Sequence, residues 1–321
     1  MNIQRIQYLA SMTLIPLIAV VSFAVPLSSA LALVLGLVIA VTVGNPYIAK
    51  TRKLTSNLLS IAVIGLGAGM DLNVVGRVGA QGVGYTVLGI SLTLIVGYIL
   101  GKILKTERDT SILISAGTAI CGGSAIAAVS SSIKAKPHEI SVSLGVVFLL
   151  NALALIVFPF VGHHFNLTEG QFGLWSALAI HDTSSVVGST LQYGPHALEV
   201  GTTVKLARAL WIVPVTLFFG YLTSRKQESS AGKTKFPWFI LGFLLAAALV
   251  TWIPQLQEPG KFVNDLAKRL LVVTLFLIGA NLTRDTLRSV GVRPLIQGVL
   301  LWIIVGSITL GAILWGWITL A

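Results

Sequence analysis

Two stretches decide how this chain folds: GTAICGGSAIA at residues 117–127 and AIHDTSSVVGS at residues 179–189. Long apolar sequence lies on both sides of each stretch, so neither one is an ordinary surface loop. In hydrocarbon, irregular backbone persists only where protein or a water-lined cavity satisfies its amide groups. Helices broken in this way form the substrate sites of many secondary transporters. We therefore predict two discontinuous transmembrane helices and, as the leading hypothesis, a transporter.

The composition is that of a polytopic membrane protein. Of the 321 residues, 55% are hydrophobic and 10% are charged, and the mean hydropathy is +0.89, values outside the range of soluble domains. Apolar runs of about 20 residues can cross roughly 30 Å of hydrocarbon. Such runs begin near Tyr8, Leu27, Leu58, Gly84, Thr110, Ser141, Phe172, Thr202, Pro237, Val263 and Pro294. We expect an all-α fold of about eleven transmembrane helices in one domain, residues 1–321.

The basic residues are divided unequally between the two sides of the predicted membrane. With alternating crossings, fourteen Lys and Arg residues lie on one side and six on the other, namely Arg77, Lys134, Lys136, Lys261, Lys268 and Arg269. The positive-inside rule then places the N-terminus in the cytoplasm and the C-terminus on the periplasmic or extracellular side. This topology, and not nucleic-acid binding, explains the net charge of +11. The polar segment 224–236 is predicted to be a cytoplasmic linker.

The N-terminal apolar run also has features of a signal peptide. Arg5 precedes it, and residues 28–32 resemble a cleavage site; its removal would leave an even number of spans. The single cysteine, Cys121, excludes an internal disulfide and a cysteine-based metal site. The sequence contains no nucleotide-binding or zinc signature, which argues against nucleotide-driven transport within this chain.

An internal repeat is found when the chain is aligned with itself at a shift of 212 residues. Identical residues then fall at positions 54, 58, 59, 67, 68, 78 and 79 and at their partners 212 residues later. The matched segments contain the third and tenth predicted spans, which cross the membrane in opposite directions. Inverted-topology repeats have this arrangement, although shared apolar composition is an alternative explanation.

The first stretch contains small residues suited to a break in a helix. Gly122 and Gly123 provide flexibility, and Ser124 is a good N-cap for a helix that follows. A helix N-terminus at membrane depth presents free amides and the positive end of its dipole, which favour an anion. The alternative is that these small residues only let neighbouring helices approach closely.

The second stretch is more specific, because an ionisable pair inside an apolar span is costly and rarely lacks a role. Asp182 or Thr183 can cap a second half-helix, and Asp182 can also pair with a cation. His181 can carry a coupled proton, since it titrates near physiological pH. The alternative is a short extracellular turn in which His181 and Asp182 are solvated.

Lys205 and Arg208 follow on one face of a helix, since they are three residues apart. We expect them to face the two half-helix N-termini and to give an anion site with excess positive charge, which Asp182 balances in part. The alternative is that both side chains extend to the outer interface.

Three blocks, at residues 117–127, 181–188 and 205–212, resemble the signature sequences of the YeiH-like family of bacterial inner-membrane proteins, whose name refers to sulfate export. The resemblance covers essentially the whole chain. It implies membership of the larger group of bile-acid, arsenite and auxin carriers, with inverted repeats and crossed, broken helices. It also suggests sulfate, or an organic sulfonate such as taurine, as the substrate.

Together these features predict a secondary transporter that exports a small anion by alternating access at a midplane site in the bacterial inner membrane. The expected substrate-binding residues are Thr118, Cys121, Gly122, Gly123, Ser124, Thr183, Ser184, Ser185, Lys205 and Arg208. His181 and Asp182 serve in proton coupling or as counter-ions, and either a proton or sodium is the coupling ion. We expect no cofactor, metal site or nucleic-acid partner. The expected partners are the lipid bilayer and the anionic substrate, and a homodimer is left open.

Two other functions remain open at this point. One is an anion channel, which needs a continuous pore. The other is an intramembrane enzyme that uses His181 and Asp182 in acid–base catalysis, although no nucleophile or metal-ligand set accompanies them.

Overall fold

The computed structural model describes residues 3–25, 27, 29–224, 238–284 and 291–319. These described residues form helices and their connections, with no strand among them. Four helical stretches are long and apolar enough to cross a membrane: Val75–Ile103, His138–His164, Pro195–Leu222 and Val292–Leu314. A fifth span is obtained if the bent pair Phe239–Trp252 and Pro254–Ala280 counts as one. The all-α membrane fold is confirmed, whereas the number eleven stays a prediction.

The chain divides into two compact units, one formed by Met1–Gly76 with Trp238–Leu287 and the other by Arg77–Pro237 with Arg288–Ala321. The helices, in chain order, are α1 (Ile3–Ala24), α2 (Ser29–Thr42), α3 (Ile48–Gly67), α4 (Leu72–Ile103), α5 (Arg108–Ala119), α6 (Gly123–Ile133), α7 (Pro137–His164), α8 (Glu169–Ala179), α9 (Thr183–Tyr193), α10 (Pro195–Ala209), α11 (Ile212–Ser224), α12 (Trp238–Trp252), α13 (Gln257–Ala280) and α14 (Val292–Leu314). Apart from Ser224, the predicted linker 224–236 lies outside the described residues.

In the first unit, α3 and α13 pack in opposite directions. Near the start of α3, Thr51 Oγ1 donates a hydrogen bond to Oδ1 of Asn281, just after α13 (2.6 Å). Near the end of α3, the Leu66 carbonyl accepts from Asn264 Nδ2 in the first half of α13 (3.4 Å). This antiparallel packing is the arrangement expected of the inverted repeat that contains these two helices.

Two glycines matched by that repeat have matched roles. Gly67, at the end of α3, lies against the backbone of Phe243 in α12, and Gly279, near the end of α13, lies against the backbone of Leu33 in α2. A side chain at either position would overlap the neighbouring main chain. Both residues therefore allow close approach of helices, as small residues do in membrane bundles.

The first broken segment, α5 and α6, is a re-entrant hairpin. Its arms have 12 and 11 residues, so each is about 17 Å long and reaches roughly halfway across the hydrocarbon. His138 Nε2, in the first turn of α7, lies 3.2 Å from Oε2 of Glu107, which directly precedes α5. Because α5 and α7 begin at the same face, α6 must return to the face that α5 left. We call residues 108–133 hairpin 1 and this side the Glu107 face.

The second broken segment, α8 and α9, also returns to its own starting face. Glu169, the first residue of α8, accepts a hydrogen bond through Oε2 from the His196 amide at the start of α10 (2.8 Å). Tyr193, at the end of α9, donates to the carbonyl of Leu167, before α8 (2.8 Å). We call residues 169–193 hairpin 2 and this side the Glu169 face. The 28-residue helix α7 separates the two faces, so the hairpins enter the second unit from opposite sides.

The two hairpins also have the same layout along the chain. Their second arms, α6 and α9, begin and end sixty residues apart. At the same shift, the pair Ala119-Ile120 matches Ala179-Ile180, and Ser124 matches Ser184. Since the hairpins enter from opposite faces, they have the arrangement of an inverted structural repeat within the second unit.

The expectation that each broken segment crosses the membrane is therefore wrong. Lys134 and Lys136, placed opposite Lys102 and Lys105 by alternating crossings, lie instead at the same face, because α6 returns to the Glu107 face. The sequence from His163 to Glu199, which contains the loops of the Glu169 face around hairpin 2, has no Lys or Arg. The charge asymmetry of this unit is thus larger than the sequence count indicated, and the positive-inside rule predicts that the Glu107 face is cytoplasmic.

Candidate functional site

The tips of the two hairpins meet inside the second unit. Gly122, between α5 and α6, is so close to Asp182, between α8 and α9, that a Cβ on the glycine would lie 3.0 Å from the aspartate Cβ. Gly122 also has φ +70° and ψ −124°, a conformation open mainly to glycine. A glycine at position 122 permits both this backbone conformation and the close contact with Asp182.

The N-terminus of α9 is capped by the chain's own carboxylate. Asp182 Oδ1 accepts a hydrogen bond from the Ser185 amide (2.9 Å), and Oδ2 accepts from Ser184 Oγ (2.7 Å). The prediction that Asp182 or Thr183 caps a half-helix is confirmed, and the cap is Asp182. An anionic group at this helix N-terminus is stabilised by free amides and by the positive dipole end.

The matching N-terminus of α6 has no side-chain cap. The prediction that Ser124 is the N-cap is wrong, because the helix already begins at Gly123 and the cap position belongs to Gly122, which has no side chain. Ser124 is exposed and Gly123 is half-exposed. The first hydrogen bond of the helix runs from the Ile126 amide to the Gly122 carbonyl (3.1 Å). The amides of the first turn at positions 123 and 124 therefore have no acceptor within the helix and are suited to binding an anion.

Lys205 is completely buried, with 0% of its surface exposed. Its Nζ donates hydrogen bonds to the carbonyls of Ile180 (2.6 Å) and Ala177 (3.3 Å) at the tip of hairpin 2. The alternative that this side chain extends to the membrane interface is wrong.

Arg208 is also fully buried and binds both hairpins. Its Nε donates to the Ala119 carbonyl of hairpin 1 (2.6 Å), and Nη2 lies 3.5 Å from the Thr118 carbonyl. Its Nη1 donates to the carbonyls of Ala177 (3.2 Å) and Leu178 in hairpin 2. One guanidinium thus holds the two first arms, α5 and α8, together at their C-terminal ends.

The expected orientation of the two cations is therefore wrong in one respect. Lys205 and Arg208 bind the C-terminal ends of the first arms and do not face the N-termini of the second arms. The physical reason is that these carbonyls carry the negative ends of two helix dipoles and would otherwise lack hydrogen-bond donors inside the membrane.

The charged side chains at the tips are Lys205, Arg208 and Asp182. With Lys205 protonated, the two buried cations face one carboxylate, and the four helix ends contribute about half a charge each in opposing pairs. The sum is about one positive charge. Among the ion pairs of the described residues, none joins Asp182 to Lys205 or Arg208, so the carboxylate does not neutralise either cation by direct contact.

Several buried polar atoms near the tip of hairpin 2 have no hydrogen-bond partner among the described residues. His181 is fully buried, and neither of its ring nitrogens has a hydrogen-bond partner among the described residues. Asn151 Oδ1 in α7 accepts from the Asp182 amide (3.3 Å), but its Nδ2 is likewise unpartnered. The indole nitrogen of Trp302 in α14, whose ring centre lies 6.4 Å from that of His181, is a third such group. Buried polar groups of this kind require water or a ligand.

A comparison with known proteins places the chain among membrane proteins. The sequence profile of a family described as "Conserved hypothetical protein 698" matches residues 9–298. A UPF0324 membrane protein of Bdellovibrio bacteriovorus is 68% identical, over 94% of this chain and 94% of its own length. The chain belongs to the UPF0324 family. The resemblance to the YeiH-like family is thereby confirmed.

Other UPF0324 relatives match nearly as much of the chain. One from Geobacter sulfurreducens is 48% identical over 90% of this chain and 92% of its own length. One from Bacteroides thetaiotaomicron is 49% identical over 88% and 85%. No solved structure matches the chain. The names of these relatives place them in a membrane, in agreement with a multi-pass membrane protein.

The remaining predicted site residues of this UPF0324 protein lie near the hairpin tips, and the four described next are buried. Thr118 is buried, and its hydroxyl donates back to the Ile114 carbonyl (2.8 Å). Cys121 is buried next to Gly122. Thr183 and Ser185 are buried in the first turn of α9, and the Ser185 hydroxyl has no partner among the described residues. The sequence did not single out Trp302; a tryptophan in an apolar span gives no signal of its own.

Proposed function

We propose that this UPF0324 protein is a secondary transporter that exports a small anion by alternating access at the hairpin tips. The observation that carries the proposal is the meeting of two hairpins that enter from opposite faces, with Arg208 bound to both. Movement of one hairpin exposes the tips to one face, and movement of the other exposes them to the opposite face. Such alternation is what a secondary transporter requires.

An anionic substrate fits the charges at the tips. The uncapped N-terminus of α6 offers amides at Gly123 and Ser124, and with Lys205 protonated the local balance is about one positive charge. The carboxylate of Asp182, bound at the matching end of α9, is an internal example of the group that such a helix end accepts. Sulfate and organic sulfonates, suggested by the family resemblance, have the required charge and acceptor oxygens.

Coupling to an ion is assigned to the tip of hairpin 2. Asp182 is half-buried and lies at the contact between the tips, so its carboxylate is next to the proposed position of the anion. His181 adds a second titratable group at the same turn. Proton coupling therefore involves this pair, whereas a sodium ion would use the hydroxyl and carbonyl oxygens of the same turns.

The two alternatives receive less support. A channel needs a continuous pore, and the direct contact between Gly122 and Asp182 fits an occluded site better. An enzyme needs a general base positioned by a hydrogen bond, and the ring nitrogens of His181 have none among the described residues.

The test is counterflow in proteoliposomes. Vesicles loaded with unlabelled sulfate or taurine should accumulate the labelled anion from outside without an imposed ion gradient, whereas empty vesicles should not. An anion that permeates at a rate independent of internal anion would identify a channel. A thermal-shift screen of small anions with the purified protein selects the substrate for this assay, and lack of counterflow with every stabilising anion contradicts the proposal.

A further inference from the structure

A large apolar groove lies at the Glu107 face of the second unit, away from the hairpin tips. Its volume is about 850 Å³, and α4, α5, the end of α6 and α11 form its walls. Its apolar lining includes Leu94, Ile95, Ile112, Phe218 and Leu222. The groove is not part of the proposed transport site, so its chemistry needs a separate explanation.

The groove is open to the surroundings of the helices and has the depth of one lipid leaflet. Ile95 and Phe218 are 59% and 54% exposed, and in a membrane such surfaces face acyl chains. Along α4 the lining runs from Lys102 to Ser91, a helical length of about 16 Å, or half of the roughly 30 Å hydrocarbon core.

Basic side chains line only the end of the groove at the Glu107 face. Lys102, Lys105 and Arg108 lie there, and all three are exposed. Lys102 Nζ also lies 4.6 Å from the ring centre of Tyr98, another lining residue. Asp109 is the one carboxylate in the lining that the structure describes, so this end of the groove carries a net positive charge.

We propose that this groove binds an anionic phospholipid of the cytoplasmic leaflet. The headgroup phosphate pairs with Lys102, Lys105 and Arg108, and an acyl chain lies along α4 between α5 and α11. Basic pockets between transmembrane helices at the cytoplasmic side recognise anionic headgroups in this way. A soluble anion would match the basic end but not the apolar walls. Because Ile112 and Ile133 both line the groove, the bound lipid contacts both arms of hairpin 1.

Native mass spectrometry of the purified full-length protein tests this proposal without any transport assay. It compares the binding of phosphatidylglycerol with that of phosphatidylcholine. The wild type should prefer phosphatidylglycerol. The triple variant K102Q/K105Q/R108Q should bind it about a hundredfold more weakly, since each cation near an anionic headgroup contributes about a fivefold factor. The matched control K261Q/K268Q/R269Q removes the same charge elsewhere and should leave the preference intact. Equal binding of the two lipids by the wild type, or equal loss in the control, overturns the proposal.

A second pair of variants tests the apolar part of the groove. Ser91→Trp fills the deep end and should weaken phosphatidylglycerol binding, whereas Leu88→Trp, on the same helix but outside the lining, should not. Melting temperatures without added lipid show whether each variant is folded. Unchanged binding by a folded Ser91→Trp variant contradicts an acyl chain in the groove. Glycerol phosphate that binds as tightly as phosphatidylglycerol would assign the basic end to a soluble anion and also overturn the proposal.

Discussion

At the scale of single residues, Arg208 is fully buried and hydrogen-bonded to both hairpins, so its loss should affect both stability and transport. Replacement by alanine leaves the carbonyls of Ala119 and Leu178 without their donor inside the membrane, so we expect a loss of unfolding free energy on the order of 3 to 5 kcal/mol together with loss of transport. Arg208→Lys should restore part of the stability but not the bridge between hairpins, because an ammonium lacks the planar fork. Melting temperature and counterflow, measured on the same preparations, check this. A stable Arg208→Ala protein with normal counterflow contradicts the bridging role.

Asp182 allows capping and coupling to be separated. Asp182→Asn keeps an oxygen for the Ser185 amide, so hairpin 2 should remain folded, whereas Asp182→Ala should cost about 1 kcal/mol for the lost cap. If the carboxylate carries the coupled proton, Asp182→Asn should abolish flux driven by an imposed pH gradient while anion exchange continues, because exchange needs no net proton movement. Loss of anion binding in Asp182→Asn would instead identify a counter-ion, and pH-driven flux equal to that of the wild type would remove Asp182 from coupling.

At the scale of elements, the contact between hairpin tips depends on Gly122. Its positive φ and the 3.0 Å distance that would separate an added Cβ from the Cβ of Asp182 both exclude a side chain. Gly122→Ala should therefore destabilise the protein by about 1 to 3 kcal/mol and reduce counterflow strongly. Gly89→Ala is the matched control, since no atom lies within 4 Å of its added Cβ on α4 and alanine favours a helix. Thermal unfolding and counterflow of both variants provide the measurement, and equal behaviour of the two would contradict a required close contact.

The element scale also shows what the sequence could and could not predict. The sequence predicts the breaks at residues 120–122 and 180–182, because Gly122 and Asp182 interrupt apolar sequence there. The sequence does not predict that each hairpin returns to the face from which it starts. Hairpin 1 spans residues 108–133, about the length of one crossing helix, and hydropathy records length but not direction. The similarity of the two hairpins lies in their helix bounds, sixty residues apart, and so few of their residues are identical that the sequence alone does not predict it.

At the scale of the whole molecule, Asp182, Lys205 and Arg208 all lie at the hairpin tips, but the partners predicted for the two cations differ from the observed ones. Lys205 and Arg208 were expected to bind the substrate from opposite the helix N-termini. Their actual partners are main-chain carbonyls, which every residue has and which carry no sequence signal.

The predicted orientation of the chain termini is unaffected by the hairpins, because changing two of eleven predicted crossings into re-entrant segments leaves nine, which is still an odd number.

The hairpin topology makes a further prediction that differs from that of eleven crossings. In a Cys121→Ser background, which removes the single cysteine, cysteines at Lys105 and Lys136 should react with an impermeant thiol reagent from the same side, because both lie at the Glu107 face. A cysteine at Asn166, near the start of hairpin 2, should react only from the opposite side. In right-side-out and inverted vesicles, the positive-inside rule predicts that the first two sites are cytoplasmic. Labelling of positions 105 and 136 from opposite sides would show that hairpin 1 crosses the membrane, and the meeting of two hairpin tips, on which the proposed transport mechanism depends, would be lost with it.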